Sequence, residues 1–123
     1  MSYSIVTGKS KEFALRVIRL YKYLTSEKKE FLISKQLFRS GTSIGANVRE
    51  SKRAQSEPDF YSKLTIALKE AEESAYWIEL LYESDYITQA QFDSLYADCN
   101  ELISMLVVIT KKQKQKILKN KKS

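Results

Sequence analysis

Helix-spaced carboxylates and unopposed cations are the residues of this chain best equipped for chemistry. Glu70 and Glu73 lie three residues apart, with Glu72, Glu79 and Glu83 close by, and paired carboxylates can serve general acid/base catalysis or a hard metal site. Either use wants companions that are missing. The chain contains no histidine, which excludes Ser-His-Asp and Cys-His nucleophiles, His-containing zinc sites and Glu-x-x-His di-iron bundles. Its single cysteine, Cys99, falls at an apolar position of a helical pattern and reads as a small buried hydrophobe. No P-loop, dinucleotide-binding turn or EF-hand loop occurs, and Gly41-Thr-Ser-Ile-Gly45 sits inside a helical stretch. The favoured reading of Glu70 and Glu73 is an ion pair with Arg39 across a helix bundle, since no imidazole or thiol joins them. A protein without catalytic residues, metal or cofactor is expected; an enzyme using Glu70 and Glu73 in an open cleft is the weaker alternative.

The cations are distributed unevenly. Seven lysines (Lys111, Lys112, Lys114, Lys116, Lys119, Lys121 and Lys122) fall in residues 111–123 with no acid among them, while residues 1–110 hold the other 14 bases against all 15 acids. The net charge of +6 therefore belongs to one end of the chain, and the rest is close to neutral. A second, smaller group is Arg49, Lys52 and Arg53, opposed only by Glu50. Both groups could hold phosphates, because each contact releases condensed counterions. The alternatives are a solvated helix end for Arg49 to Arg53 and a solubilising tail for Lys111 to Lys122. Ile117 and Leu118 offer too little apolar surface to anchor the tail on a membrane.

These groups must be positioned by helices. With three Gly and one Pro in 123 residues the chain is starved of turns, and one helical domain is expected. Phe13, Val17, Leu20 and Leu24 mark a first helix from about Ser10 to Thr25. Ser34 is a plausible N-cap for a second, which carries Ile33, Leu37, Ile44 and Val48 on one stripe and runs to about Gln55. Ser56-Glu57-Pro58-Asp59 is a strong start signal for a third helix ending near Glu83, with a seam of Phe60, Leu64, Ala67, Ala71, Ala75, Ile78 and Tyr82. Thr88-Gln89-Ala90-Gln91 is a capping box opening a fourth, with a seam of Phe92, Leu95, Cys99, Leu102, Leu106 and Ile109. The short link from Ser84 to Ile87 makes the last two antiparallel neighbours. The fold expected is all-α, an antiparallel up-down four-helix bundle over residues 1–110, with residues 111–123 extending its last helix.

The second helix has a composition that needs a packing reason. Gly41 and Gly45 each cost about 1 kcal/mol relative to Ala, yet one turn apart they let another helix approach closely. Ser40, Ser43 and Asn47 form a neighbouring stripe able to hydrogen-bond within a bundle, with Arg39 bracing it from Glu70 or Glu73. On the third helix, Ala75 to Tyr82 is apolar nearly all round, so Tyr76, Trp77 and Leu80, with Tyr61 and Leu68, are expected to form a subunit interface. Burial within a monomer is the alternative. No apolar run reaches the roughly 18 residues of a membrane span, and the N-terminus lacks a secretory signal, so a cytoplasmic protein is expected.

Residues 38–81, FRSGTSIGANVRESKRAQSEPDFYSKLTIALKEAEESAYWIELL, closely resemble the four-helix-bundle proteins encoded in intervening sequences of bacterial 23S ribosomal RNA genes. The family pattern falls on Arg39, Ser40, Ser43, Ile44, Asn47 and Glu50, and on Phe60, Lys63, Leu64, Ile66, Ala67, Lys69, Glu70, Ala71, Glu73, Tyr76 and Trp77. Family members often carry Ala and Glu-Gly where this chain has Gly41 and Glu50-Ser51. The resemblance implies a ring-like homopentamer, with relatives among the accessory proteins of diversity-generating retroelements, which bind nucleic acid and a reverse transcriptase. For members from ribosomal genes it implies RNA binding, although the family's biochemical activity is largely undefined. The lysine-rich end is not part of the pattern. The expectation is a self-assembling bundle that binds RNA or another nucleic acid through Arg49, Lys52, Arg53 and Lys111 to Lys122; the alternative is a scaffold for a partner protein.

Overall fold

The computed structural model describes residues 3–122, with the side chain of Lys122 outside the described set. Four helices follow one another: α1 (Tyr3–Ser26), α2 (Ile33–Ser51), α3 (Glu57–Glu83) and α4 (Gln89–Lys122). Consecutive helices pack side by side and α1 closes the bundle against α4, the up-down arrangement that short connections impose. The core is built from the predicted stripes. Phe13, Val17 and Leu24 meet Leu37, Ile44 and Val48, then Leu64, Ala67, Ala71 and Ile78, then Leu95, Cys99, Leu102 and Leu106, all buried. Leu20, Ile33, Phe60, Tyr82, Phe92 and Ile109 lie half-buried at the margins of this core. Ala75 of the third stripe is buried in this core, as are Val6, Leu81, Ile87 and Met105, which were not on those stripes.

Two helix starts follow the sequence signals. Ser56 Oγ accepts from the Asp59 N–H at 3.2 Å, with Pro58 in the first turn. Thr88 and Gln91 exchange reciprocal bonds, Thr88 N–H to Gln91 Oε1 at 2.8 Å and Gln91 N–H to Thr88 Oγ1 at 3.2 Å, so both members of the capping box are satisfied.

Three boundaries differ from expectation. The first helix begins at Tyr3 rather than near Ser10: Val6 and Ser10 are buried, and Tyr3 Oη donates to the Val48 carbonyl at 2.7 Å. Packing thus overrides the low helix propensity of Ser4, Thr7 and Gly8. The second helix ends at Ser51, not Gln55, because the N–H groups of Lys52, Arg53 and Ala54 bond three residues back to Arg49, Glu50 and Ser51, tightening the chain into a turn. Ser34 is not an N-cap. It lies inside α2, and the orphan N–H groups of Leu32, Ile33 and Ser34 are taken by the carboxylate of Glu30 at 3.0, 2.9 and 2.7 Å. Burial alone would raise the Glu30 pKa, but these bonds hold it below the ordinary carboxylate value.

The glycines of α2 face α1. A Cβ on Gly41 would sit 2.8 Å from Val17 Cγ2, and one on Gly45 would sit 3.4 Å from the Ser10 carbonyl oxygen. Only a residue without a side chain admits Val17 at that distance.

Candidate nucleic-acid interface

Chain direction puts the residue 52–56 turn, the start of α1 and the last turns of α4 at one end of the bundle. The two expected basic groups are thereby partly united. At 34 residues and about 1.5 Å each, α4 is the longest helix and carries its lysine-rich end alongside the start of α3. The contact is specific: Lys116 Nζ lies 2.9 Å from Glu57 Oε1, and Asn120 Nδ2 donates to Glu57 Oε2 at 2.9 Å. Ile117 and Lys121 line a shallow hollow with Pro58 beside this clamp.

Helical spacing explains which lysines remain outside. Gln113, Lys116, Ile117 and Asn120 form the inner stripe at intervals of three, one and three, leaving Lys111, Lys112, Lys114 and Lys119 toward the outer arc and Lys121 at the edge of the stripe beside Pro58. Lys111, Lys112, Lys114, Lys119 and Lys121 are exposed and form no ion pair among the described residues. Lys122 falls outside the residues whose side chains are described. From α2, Lys52 joins this end: it shares an open notch of about 440 Å³ with Gln113 and Lys116. Arg53 is exposed at the same turn, whereas Arg49 points to the other flank of α2 and lines the α1–α2 groove with Lys11. Glu50, the one acid in the cluster, is directed to Lys63 at 3.5 Å.

The other singled-out residues occupy different places. Arg39 bridges α2 to α3, meeting Glu70 at 3.3 Å and Glu73 in a close ion pair, but it is half exposed, so the brace lies at the surface. Glu73 also accepts from Trp77 Nε1 at 3.2 Å. Within the bundle a buried polar contact crosses between α2 and α3: Ser40 and Ser74 hydroxyls meet at 2.8 Å, and Ser74 Oγ donates on to the Glu70 carbonyl. Ser43 and Asn47 instead donate to carbonyls of their own helix, Arg39 O and Ser43 O, at 2.6 and 2.9 Å. They do not join the interhelical contact. On α3, Tyr61, Leu68, Trp77 and Leu80 are half-buried and Tyr76 is 53% exposed.

Cys99 donates its S–H to the Ala71 carbonyl at 3.2 Å, and burial, helped by Asp98, pushes its thiol up to about 12. That is an inert, protonated sulfur. Among the described residues no cluster of three or more His, Cys, Asp or Glu could hold a metal ion, and no helix is long and apolar enough to cross a membrane.

With this geometry in place, the comparisons decide the family. The sequence profile of the 23S rRNA-intervening sequence proteins matches residues 3–108. The chain belongs to that family. A crystal structure of a protein of unknown function from the S23 ribosomal protein family of Bacteroides thetaiotaomicron is similar over 90% of this chain and 99% of its own, at 53% identity and a TM-score of 0.88. No curated protein matches the chain. The profile of the intervening-sequence family ends before Lys111, so the lysine-rich end lies beyond the matched segment.

Sequence reasoning had missed Glu57 as the partner of the lysine-rich end, and Gln55 and Gln113 as neighbours of Lys52. The acid at the start of α3 was visible, but the register of α4 against α3 that brings Lys116 to it was not.

Proposed function

We propose that this member of the 23S rRNA-intervening sequence family is a self-assembling, non-enzymatic bundle of the bacterial cytoplasm that binds RNA or another nucleic acid through phosphate contacts. The observation that supports this reading is the concentration at one end of cations without an ion-pair partner among the described residues, Lys52 and Arg53 on the α2 turn and Lys111, Lys112, Lys114, Lys119 and Lys121 on the last turns of α4. Phosphate-led binding is weakly sequence-specific and strongly salt-dependent. Self-assembly is supported by the outer face of α3, where exposed Tyr76 packs on Trp77 at 5.0 Å between ring centroids. If subunits assemble, several basic ends act together and avidity multiplies weak contacts.

The test is a mobility-shift titration over a range of salt, on the full chain and on a chain ended after Thr110, with light scattering on both. Steep salt dependence that flattens on truncation supports the reading; unchanged affinity removes the lysine-rich end from the site. A monomer mass at micromolar concentration removes self-assembly.

A second reading, a scaffold for a partner protein, is favoured by the opposite end. There Phe31 and Leu32 are 55% and 79% exposed in the α1–α2 connection, more apolar exposure than a tight turn needs. Purification without nuclease separates the two readings, since protein free of co-purifying nucleic acid points to the scaffold.

A further inference from the structure

The notch between the α2–α3 turn and α4 has a chemistry that phosphate binding alone does not use. Lys52, Gln55, Glu57, Phe60, Gln113 and Lys116 line it. Phe60, half-buried and paired with Tyr3 at 5.7 Å between ring centroids, is the one aromatic residue in a lining that is mostly polar by residue type. The side-chain amides of Gln55 and Gln113 make no hydrogen bond among the described residues. Each therefore presents an unused donor and acceptor at the notch. The Glu57 carboxylate, the one anion present, is occupied by Lys116 and Asn120, so the cations at the rim are left facing outward.

An aromatic wall, free amides and flanking lysines are the complement of a nucleotide whose base is unstacked. Aromatic side chains hold bases by stacking, amides read base edges, and lysines hold the phosphates on either side. A duplex keeps its bases inside the stack and cannot lay a base face against Phe60. Resting on the nucleic-acid reading above, we propose that this end of the bundle takes single-stranded nucleic acid, with one base entering the notch against Phe60 and the flanking phosphates on Lys52 and the outer lysines of α4. The volume, about 440 Å³, is within the range of small-ligand sites.

The experiment uses the full chain, its Phe60→Leu variant and a Gln55→Ala/Gln113→Ala double variant. Each is titrated with a uniform single strand carrying one 2-aminopurine and with a duplex of equal length, at several salt concentrations. The parent is expected to favour the single strand and to quench the 2-aminopurine; Phe60→Leu weakens single-strand binding at least about fivefold, abolishes the quench and leaves duplex affinity and the salt slope unchanged. The double variant, which touches no core residue, weakens the single strand alone even where Phe60→Leu melts early by circular dichroism. Equal affinity for both forms, or variants that change neither, overturns the single-strand inference and leaves phosphate binding standing. Failure of the parent to bind either form overturns the phosphate reading as well.

Discussion

The two ends of the bundle treat charge in opposite ways. In the α1–α2 connection, Glu30 is buried and gives its carboxylate to the backbone N–H groups of Leu32, Ile33 and Ser34 where α2 begins, while the residues beside it, Phe31 and Leu32, are apolar and exposed. At the other end, Glu57 is spent on one lysine and one asparagine, and a surrounding group of cations has no partner among the described residues. Charge in the first case fixes a helix start; in the second it is left available to a ligand. A polar residue near a helix terminus is available to a ligand only to the extent that its bonding capacity is not used up inside the chain.

The sharpest way to test the far end is Glu30→Gln. Because the folded-state pKa of Glu30 is lowered, its stabilisation is complete above the unfolded carboxylate pKa and fades as pH falls through the folded value. The variant is expected to lose about 2 kcal/mol at neutral pH, seen in denaturant melts, and the gap to the parent should begin to narrow only below the ordinary carboxylate value of about 4.3 and go on closing as pH falls further. A gap independent of pH would mean that the charge of Glu30 contributes nothing.

At the basic end the expected effects fall on binding and spare the fold. Replacing Arg49, Lys52 and Arg53 together by Gln is expected to leave the melting temperature within a degree or two, since exposed charges contribute little to stability. If Lys52 and Arg53 each hold a phosphate of a single strand, the slope of log affinity against log salt becomes shallower by about 1.4, at about 0.7 per contact. Arg49, turned to the α1–α2 groove with Lys11, adds a further 0.7 or so only if the strand also crosses that groove. Smallest is Glu57→Gln, which frees Lys116. Stability should shift by less than about 1 kcal/mol, and single-strand affinity should rise a few-fold; a fall would show that anchoring the end of α4 matters more than one added cation.

Much of the fold was legible because it depends on spacing. Four stripes of apolar residues, the Ser56 cap and the Thr88–Gln91 box were read from the chain and recur in three dimensions. What escaped were features set by another helix. Ser34 has the composition of a cap, but Glu30 four residues earlier reaches further and carries a charge. Ser40, Ser43 and Asn47 are alike in sequence, yet only Ser40 faces α3 at the height of Ser74. For the candidate site, the cations could be named individually, while their grouping depended on the register of α4 on α3, which no local pattern encodes. Thus Lys52 and Lys116 share a notch although neither announces the other.

The clamp of Glu57 on Lys116 and Asn120 has a consequence for motion. Beyond Thr110 the helix is held on a single side, by one inner stripe and this surface carboxylate, so its opening free energy is drawn from far fewer contacts than that of the four-walled bundle. Amide hydrogens from 112 to 121 are therefore expected to exchange well before those of the core helices. Their protection is what a bound strand has room to increase.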